Sequence, residues 1–143
     1  MASAQQTVTL GLGYDKAAVI NLVEQFLTAA GNYDLDAMRQ MFSEKANIGG
    51  ASLKDGKWNS FTLTIQEFLE LLKSQKEPTN YTEPVSNYTV EIDWGMLAFV
   101  KADAVLIKNG KPQATNFDYF TLIKHNGEWK ILNGSYVSIP IEN

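Results

Sequence analysis

Cysteine is absent from the 143 residues, which removes disulfides, thiolate nucleophiles and zinc–thiolate centres. Histidine occurs once, as His125, so a His-rich metal site cannot be built and a Ser–His pair has almost no material. No metal ligand set and no cofactor motif is found. Arginine also occurs once, as Arg39, and the lysines are scattered through a chain of net charge −4 and pI near 4.9. Nucleic-acid binding needs a basic stripe that neutralises phosphates, and none is present. No apolar run approaches the ~20 residues of a membrane span. Internal repeats, linkers and low-complexity stretches are missing as well.

What remains has the composition of one folded domain. Hydrophobic residues make up 45% and aromatics 11%, enough to bury a sizeable core. The domain is expected over residues 14–143, with residues 1–13 as an N-terminal extension. Met1-Ala2-Ser3-Ala4 contains the small-residue Ala-x-Ala pattern that ends a secretory signal. Two readings stay open: chance, or the remnant of a cleaved export signal. Localisation is therefore open between cytoplasm and an exported or periplasmic form. Asn80, Asn87 and Asn133 fit the glycosylation pattern, but two of them fall in expected strands.

Local signals order the chain as helices, then strands. Asp15 is placed to cap a first helix in which Val19, Leu22, Val23, Phe26, Leu27 and Ala30 recur at helical spacing. Gly31 and Asn32 supply its stop. Asp34 is placed to cap a short second helix with Leu35, Met38, Met41 and Phe42. Residues 47–53 and 58–63 around Asp55-Gly56 read as a hairpin. Thr64-Ile65-Gln66-Glu67 is a capping box that opens a third helix through Phe68, Leu69, Leu71 and Leu72. Pro78 and Pro84 hold an extended stretch. Turns at Trp94-Gly95, Asn109-Gly110 and Asn126-Gly127 then separate four long strands, about 85–92, 97–107, 113–124 and 129–139. The expected fold class is α+β: three helices on a strongly curved antiparallel sheet.

If each turn is a two-residue loop, the register fixes which face every side chain takes. One face then carries Tyr88, Val90, Ile92, Phe99, Lys101, Asp103, Val105, Asp118, Phe120, Leu122, Trp129, Ile131, Asn133, Ser135 and Val137. Its larger apolar residues assign it to the helices. It sets Lys101 opposite Asp118, and Asp118 opposite Ser135. The other face, with Val100, Ala102, Ala104, Tyr119 and Thr121, suits a sheet-to-sheet homodimer. A few polar groups beside an apolar wall describe a small-molecule site.

The run from Asp118-Tyr119 through Leu122-Ile123-Lys124 to Gly127-Glu128-Trp129-Lys130-Ile131-Leu132-Asn133 resembles the C-terminal signature of the nuclear transport factor 2-like superfamily, in its bacterial SnoaL-like and "putative lumazine-binding" branch. Gly31-Asn32-Tyr33-Asp34 with Met41-Phe42 resembles that branch's connection between its first helices. The resemblance spans about residues 14–139. It implies a cystatin-like cone with a deep apolar pocket and a homodimer through the sheet. Members range from isomerases, dehydratases and cyclases to binding modules, so the fold alone selects no function. Ketosteroid isomerase-like members carry a catalytic acid on the strand after the second helix. Here that stretch is Asn47-Ile48-Gly49-Gly50-Ala51, so their mechanism does not carry over.

Asp118 is the leading candidate, read either as a general base or ligand anchor or as a structural ion pair with Lys101. Tyr88, Lys101, Asn133, Ser135 and Phe120 are expected around it, with Trp58 at the pocket rim. Each also has a plain structural reading. The expected ligand is small and apolar or aromatic. Three functions compete: a small-molecule-binding domain, a proton-transfer enzyme (isomerase, dehydratase or cyclase type) using Asp118, and a dimerisation or interaction domain.

Overall fold

The computed structural model describes the backbone of residues 4–142 and the side chains from residue 13 onward. Helix α1 (Ala4–Gly31) runs through the boundary expected after residue 13, and residues 1–3, where the export-signal pattern begins, lie outside the described residues. Val19, Val23, Phe26, Leu27 and Ala30 are buried, so the helical spacing points one stripe at the core. Asp15 does not cap this helix, because it sits well inside it. Its carboxylate instead accepts from Lys124 Nζ at 2.8 Å and from Trp129 Nε1 at 3.0 Å, tying the helix to the sheet.

The stop of α1 also differs from expectation. Tyr33, with φ of 55°, takes the left-handed position, and the amides of Tyr33 and Asp34 bond back to Ala30 and Ala29. These are the two bonds of a Schellman motif. Gly31 is needed for a different reason: a Cβ there would run into the Tyr81 carbonyl. Asp34 caps α2 (Leu35–Met41) as expected, accepting from the Ala37 amide at 3.2 Å.

Strands β1 (Phe42–Lys54) and β2 (Lys57–Thr64) form the first hairpin. The complete capping box at Thr64 and Glu67 starts α3 (Ile65–Lys73). Four strands follow: β3 (Val85–Asp93), β4 (Leu97–Lys108), β5 (Lys111–His125) and β6 (Glu128–Pro140). The six strands form one sheet in the order β2-β1-β6-β5-β4-β3. The sheet is mixed rather than purely antiparallel, since β1 pairs parallel with β6. This one parallel pair brings the first hairpin beside the last strand. The core lies between sheet and helices, where Phe26 meets Phe42 and Phe120 edge-on at 5.2 and 5.7 Å.

The register departs from the two-residue assumption at all three C-terminal hairpins. Asp93 pairs with Leu97, so the first loop holds three residues, including Met96. The second keeps its Asn109-Gly110 turn but has an extra residue, Gln113, between Leu106↔Ala114 and Ile107↔Pro112. The third has an extra residue, Leu132, between Leu122↔Ile131 and Thr121↔Asn133. A one-residue offset turns a strand over relative to its neighbour. Asp118 therefore pairs with Ala102 and Tyr136, not with Lys101 and Ser135.

Two face assignments are corrected as a result. Val100, Ala102 and Ala104 are buried beneath the helices and cannot belong to a sheet-to-sheet dimer face. Phe99, Lys101 and Asp103 turn outward, beside Tyr119 and Thr121. There the Lys101 ammonium lies 5.3 Å from the Phe117 ring centroid and 3.6 Å from Asp103.

Candidate functional site

Register places six residues in one row across the inner face: Phe61, Gly50, Tyr136, Asp118, Ala102 and Tyr88. Gly50 and Ala102 carry little or no side chain, which leaves space in this row. The rings of Phe61 and Tyr136 lean over Gly50, 6.0 Å apart between centroids. A Cβ on Gly50 would approach Tyr136 to 2.5 Å. Aromatic rings thus cover Gly50, on a strand segment that carries no acid from Asn47 to Ala51.

Beside this row is a cavity of about 420 Å³ between α1, α3 and the sheet. Its walls are apolar, with Phe26, Leu27, Ile48, Phe61, Phe68 and Phe120 among them. Leu71 is half exposed, and with Gln75 and Lys108 it marks the open side. The polar end is built by Glu83, Asn116 and Asp118, with Tyr81 and Tyr136 adjoining.

Asn116 and Asp118 project from β5 to the same side because they are two residues apart on a strand. Among the described residues they are the two buried polar side chains, at 6% and 4% exposure. Glu83 arrives from the segment before β3. That segment is fixed by a bond from the Tyr81 amide to the Gly31 carbonyl and by a two-way bridge between Thr82 and Ile107. Asn116 Nδ2 donates to Glu83 Oε1 at 2.7 Å.

The Asp118 carboxyl meets the Glu83 carboxyl. Two carboxylates offer only acceptors, so the contact becomes a hydrogen bond when one carries a proton. Burial and the Glu83 carboxyl together push the Asp118 pKa up to about 9. Burial likewise raises the Tyr81 and Tyr136 hydroxyls, with the acid pair adding to it. At neutral pH this end of the cavity holds a protonated Asp118 and neutral phenols.

Of the seven residues expected at the site, Asp118, Phe120 and Ser135 line the cavity. Tyr88 does not: its hydroxyl donates to Glu24 at 3.1 Å in a neighbouring groove of about 350 Å³, on the other side of the 81–85 segment. Lys101 lies on the outer face. Asn133 Nδ2 donates to Asn47 Oδ1 at 2.6 Å, binding β6 to β1 away from the cavity. Trp58 is 58% exposed on β2 and does not form the rim. Glu83, Asn116, Tyr81 and Tyr136 complete the site and were not singled out in the sequence. Alternation along Ala114, Asn116, Asp118, Phe120 and Leu122 was the available signal for Asn116.

The helices, the mixed six-stranded sheet and the internal cavity define a nuclear transport factor 2-like domain of cystatin-like fold. The chain belongs to the family described as "Putative lumazine-binding", whose model matches residues 14–137. No curated protein matches significantly. Among solved structures, an NTF2-like protein of unknown function from Shewanella baltica is 20% identical, with 90% of this chain and 96% of that chain covered and a TM-score of 0.64. An NTF2-like protein from Novosphingobium aromaticivorans is 13% identical over 96% and 91%, with a TM-score of 0.72. A hexachlorocyclohexane dehydrochlorinase is 12% identical over 94% of each chain, with a TM-score of 0.71. At these identities the likeness is one of fold. None of the helices, among the described residues, is long and apolar enough to cross a membrane.

Proposed function

We propose that this chain is a binding protein for a small, largely apolar molecule, held in the cavity with its one polar end against Asp118. The observation that carries this reading is an apolar chamber of about 420 Å³ that converges on a buried acid. Its size falls in the range of roughly 300–1,000 Å³ common for small-molecule sites. Few convergent polar groups in an apolar wall are what orient such a ligand. The apolar walls supply affinity through burial at about 25 cal/mol per Å².

A proton-transfer role for the same residue takes a different form from the one read in the sequence. A carboxyl with a pKa near 9 is protonated at neutral pH and is thus a proton donor rather than a base. Such a donor suits the protonation of a leaving group or carbonyl. It equally suits a hydrogen bond that only holds a ligand, and binding is the simpler role because it asks nothing of the Glu83–Asp118 pair beyond hydrogen bonding.

The test is a fragment screen by ligand-observed NMR, with a lumazine included because of the family description. Ser52 lines the cavity, and Ser52→Phe fills part of it. Binders that lose contact with Ser52→Phe and keep it with the outer-face variant Lys101→Ala support the reading. Absence of binders, or binders indifferent to Ser52→Phe, overturns it.

A further inference from the structure

Three buried side-chain atoms at the polar end have no hydrogen-bond partner: Glu83 Oε2, Asn116 Oδ1 and Asp118 Oδ2. All three are acceptors. The Asn116 amide cannot be turned to change this, because its NH₂ already donates to Glu83 Oε1 at 2.7 Å and a carboxylate can only accept. One proton shared between the two carboxyls satisfies at most two of the three. Among the described residues no lysine or arginine lies within 4 Å of either carboxyl, since the ion pairs formed are Lys101–Asp103, Lys124–Asp15 and Lys130–Glu128. A buried acceptor left unmet costs roughly 1–3 kcal/mol. A ligand that brings donors removes this cost, and one that brings only acceptors does not.

From these atoms we infer that the cavity takes an organic amine, whose protonated amino group donates to Asp118, Glu83 and Asn116 while its apolar body lies against Phe26, Phe61 and Phe120. A primary ammonium carries three N–H bonds, matching three acceptors in number and complementing their charge. On binding, the ammonium displaces the shared proton to solvent. No covalent bond is made or broken.

This inference rests on the cavity reading above and specifies its ligand class. The test compares two probes of nearly equal shape, phenethylamine and phenethyl alcohol, by calorimetry at neutral pH in buffers of different ionisation enthalpy. Wild type is expected to favour the amine by about tenfold or more, with proton release. Asp118→Asn and Glu83→Gln are each expected to abolish that preference and the proton release that accompanies it. Glu83→Gln also serves if the Asp118 variant misfolds. Equal or tighter binding of the alcohol to wild type refutes the amine inference and leaves the cavity reading standing. Undiminished amine binding by both variants also refutes it. If neither probe binds wild type, the amine inference falls, and the fate of the cavity reading is decided separately by the Ser52→Phe screen.

Discussion

Asp118→Asn is the substitution that separates the two accounts of this residue most sharply. Asp118 has an ordinary carboxyl value of 3.8 when unfolded and about 9 when folded. A raised carboxyl binds its proton more tightly in the native state. Between these two values the native state therefore holds more protons than the unfolded chain, and stability falls as pH rises. The full gap sets a ceiling of about 7 kcal/mol, at about 1.36 kcal/mol for each tenfold change in proton affinity. A domain of this size has only roughly 5–15 kcal/mol in total. Relaxation of the surroundings of an ionised Asp118 holds the realised cost below this ceiling. A loss of ~2–4 kcal/mol between pH 5 and pH 8.5 is the expected outcome.

The amide introduced by Asp118→Asn is the same size as the carboxyl, does not titrate, and can donate to Glu83. Urea unfolding at a series of pH values should show the variant flat across this range. It should match wild type within ~1 kcal/mol at pH 5 and exceed it by ~2–4 kcal/mol at pH 8.5, a difference in Tm of about 6–12 °C. The groups that face Asp118 in the cavity are Glu83, Tyr81 and Tyr136, with Tyr88 in the neighbouring groove and Lys108 at the cavity mouth. The phenols are raised above their usual range and stay neutral throughout the window. An Asp118 ion-paired to lysine would behave in the opposite way, with a lowered pKa and a variant weaker than wild type at high pH. Parallel pH curves for wild type and variant, or a variant destabilised at pH 8.5, would refute the shared-proton account.

Asp15→Ala should cost ~1–3 kcal/mol, because it strips Lys124 and the Trp129 indole of their acceptor. Trp58 and Trp94 are exposed, so a red shift of the remaining blue emission reports the released Trp129. Burial raises the Asp15 carboxyl, but the hydrogen bonds from Lys124 and Trp129 outweigh it and hold it below the ordinary value of 3.8. Its contribution is therefore present above that pH and lost as pH falls further, and acid unfolding of Asp15→Ala should show a correspondingly weaker dependence below pH 4. Gly50→Ala should destabilise by ~1–3 kcal/mol and alter ligand affinity, since its Cβ would displace the Tyr136 ring; an unchanged Tm and affinity would contradict the packing described. A homodimer through the outer sheet face is expected to use Phe99 and Tyr119, whose rings lie 6.1 Å apart. Sedimentation should then show a dimer that Tyr119→Glu dissociates, and a monomeric wild type at micromolar concentration would exclude it.

Local chemistry made the starts of α2 and α3 legible, but not that of α1, which runs through Asp15. The Asp34 cap and the Thr64–Glu67 box act within a few residues, and the structure contains both sets of bonds. The hairpin turns were legible for the same reason: Asn109, Asn126 and the glycines after them all have positive φ. Strand faces were not legible, because they depend on register over a whole strand. One extra residue in a loop or a bulge reverses a face, and nothing in Gln113 or Leu132 marks it as the extra one. Strand β4 offers no correction of its own, since both of its faces carry apolar residues: Ala98, Val100, Ala102 and Ala104 inward, Leu97 and Phe99 outward.

The site shows the same division more severely. Asp118 was found because it falls in the Asp118-Tyr119 pair of the C-terminal signature and on the sheet face assigned to the helices. Its partner was missed because Glu83 lies on an irregular segment without periodicity, placed by contacts with Gly31 and Ile107 that are distant in sequence. The consequence is chemical and not only geometric. Opposite Lys101, Asp118 would be a fixed anion in a satisfied ion pair, with no reason to meet a ligand. Opposite Glu83, it carries a proton at neutral pH and leaves acceptors unmet beside an apolar chamber. A shift of one residue in β-pairing thus exchanges a structural ion pair for the arrangement on which the proposed binding role rests. The pH dependence of stability, and its removal by a single amide, distinguishes the ion pair from the shared proton without any knowledge of the ligand.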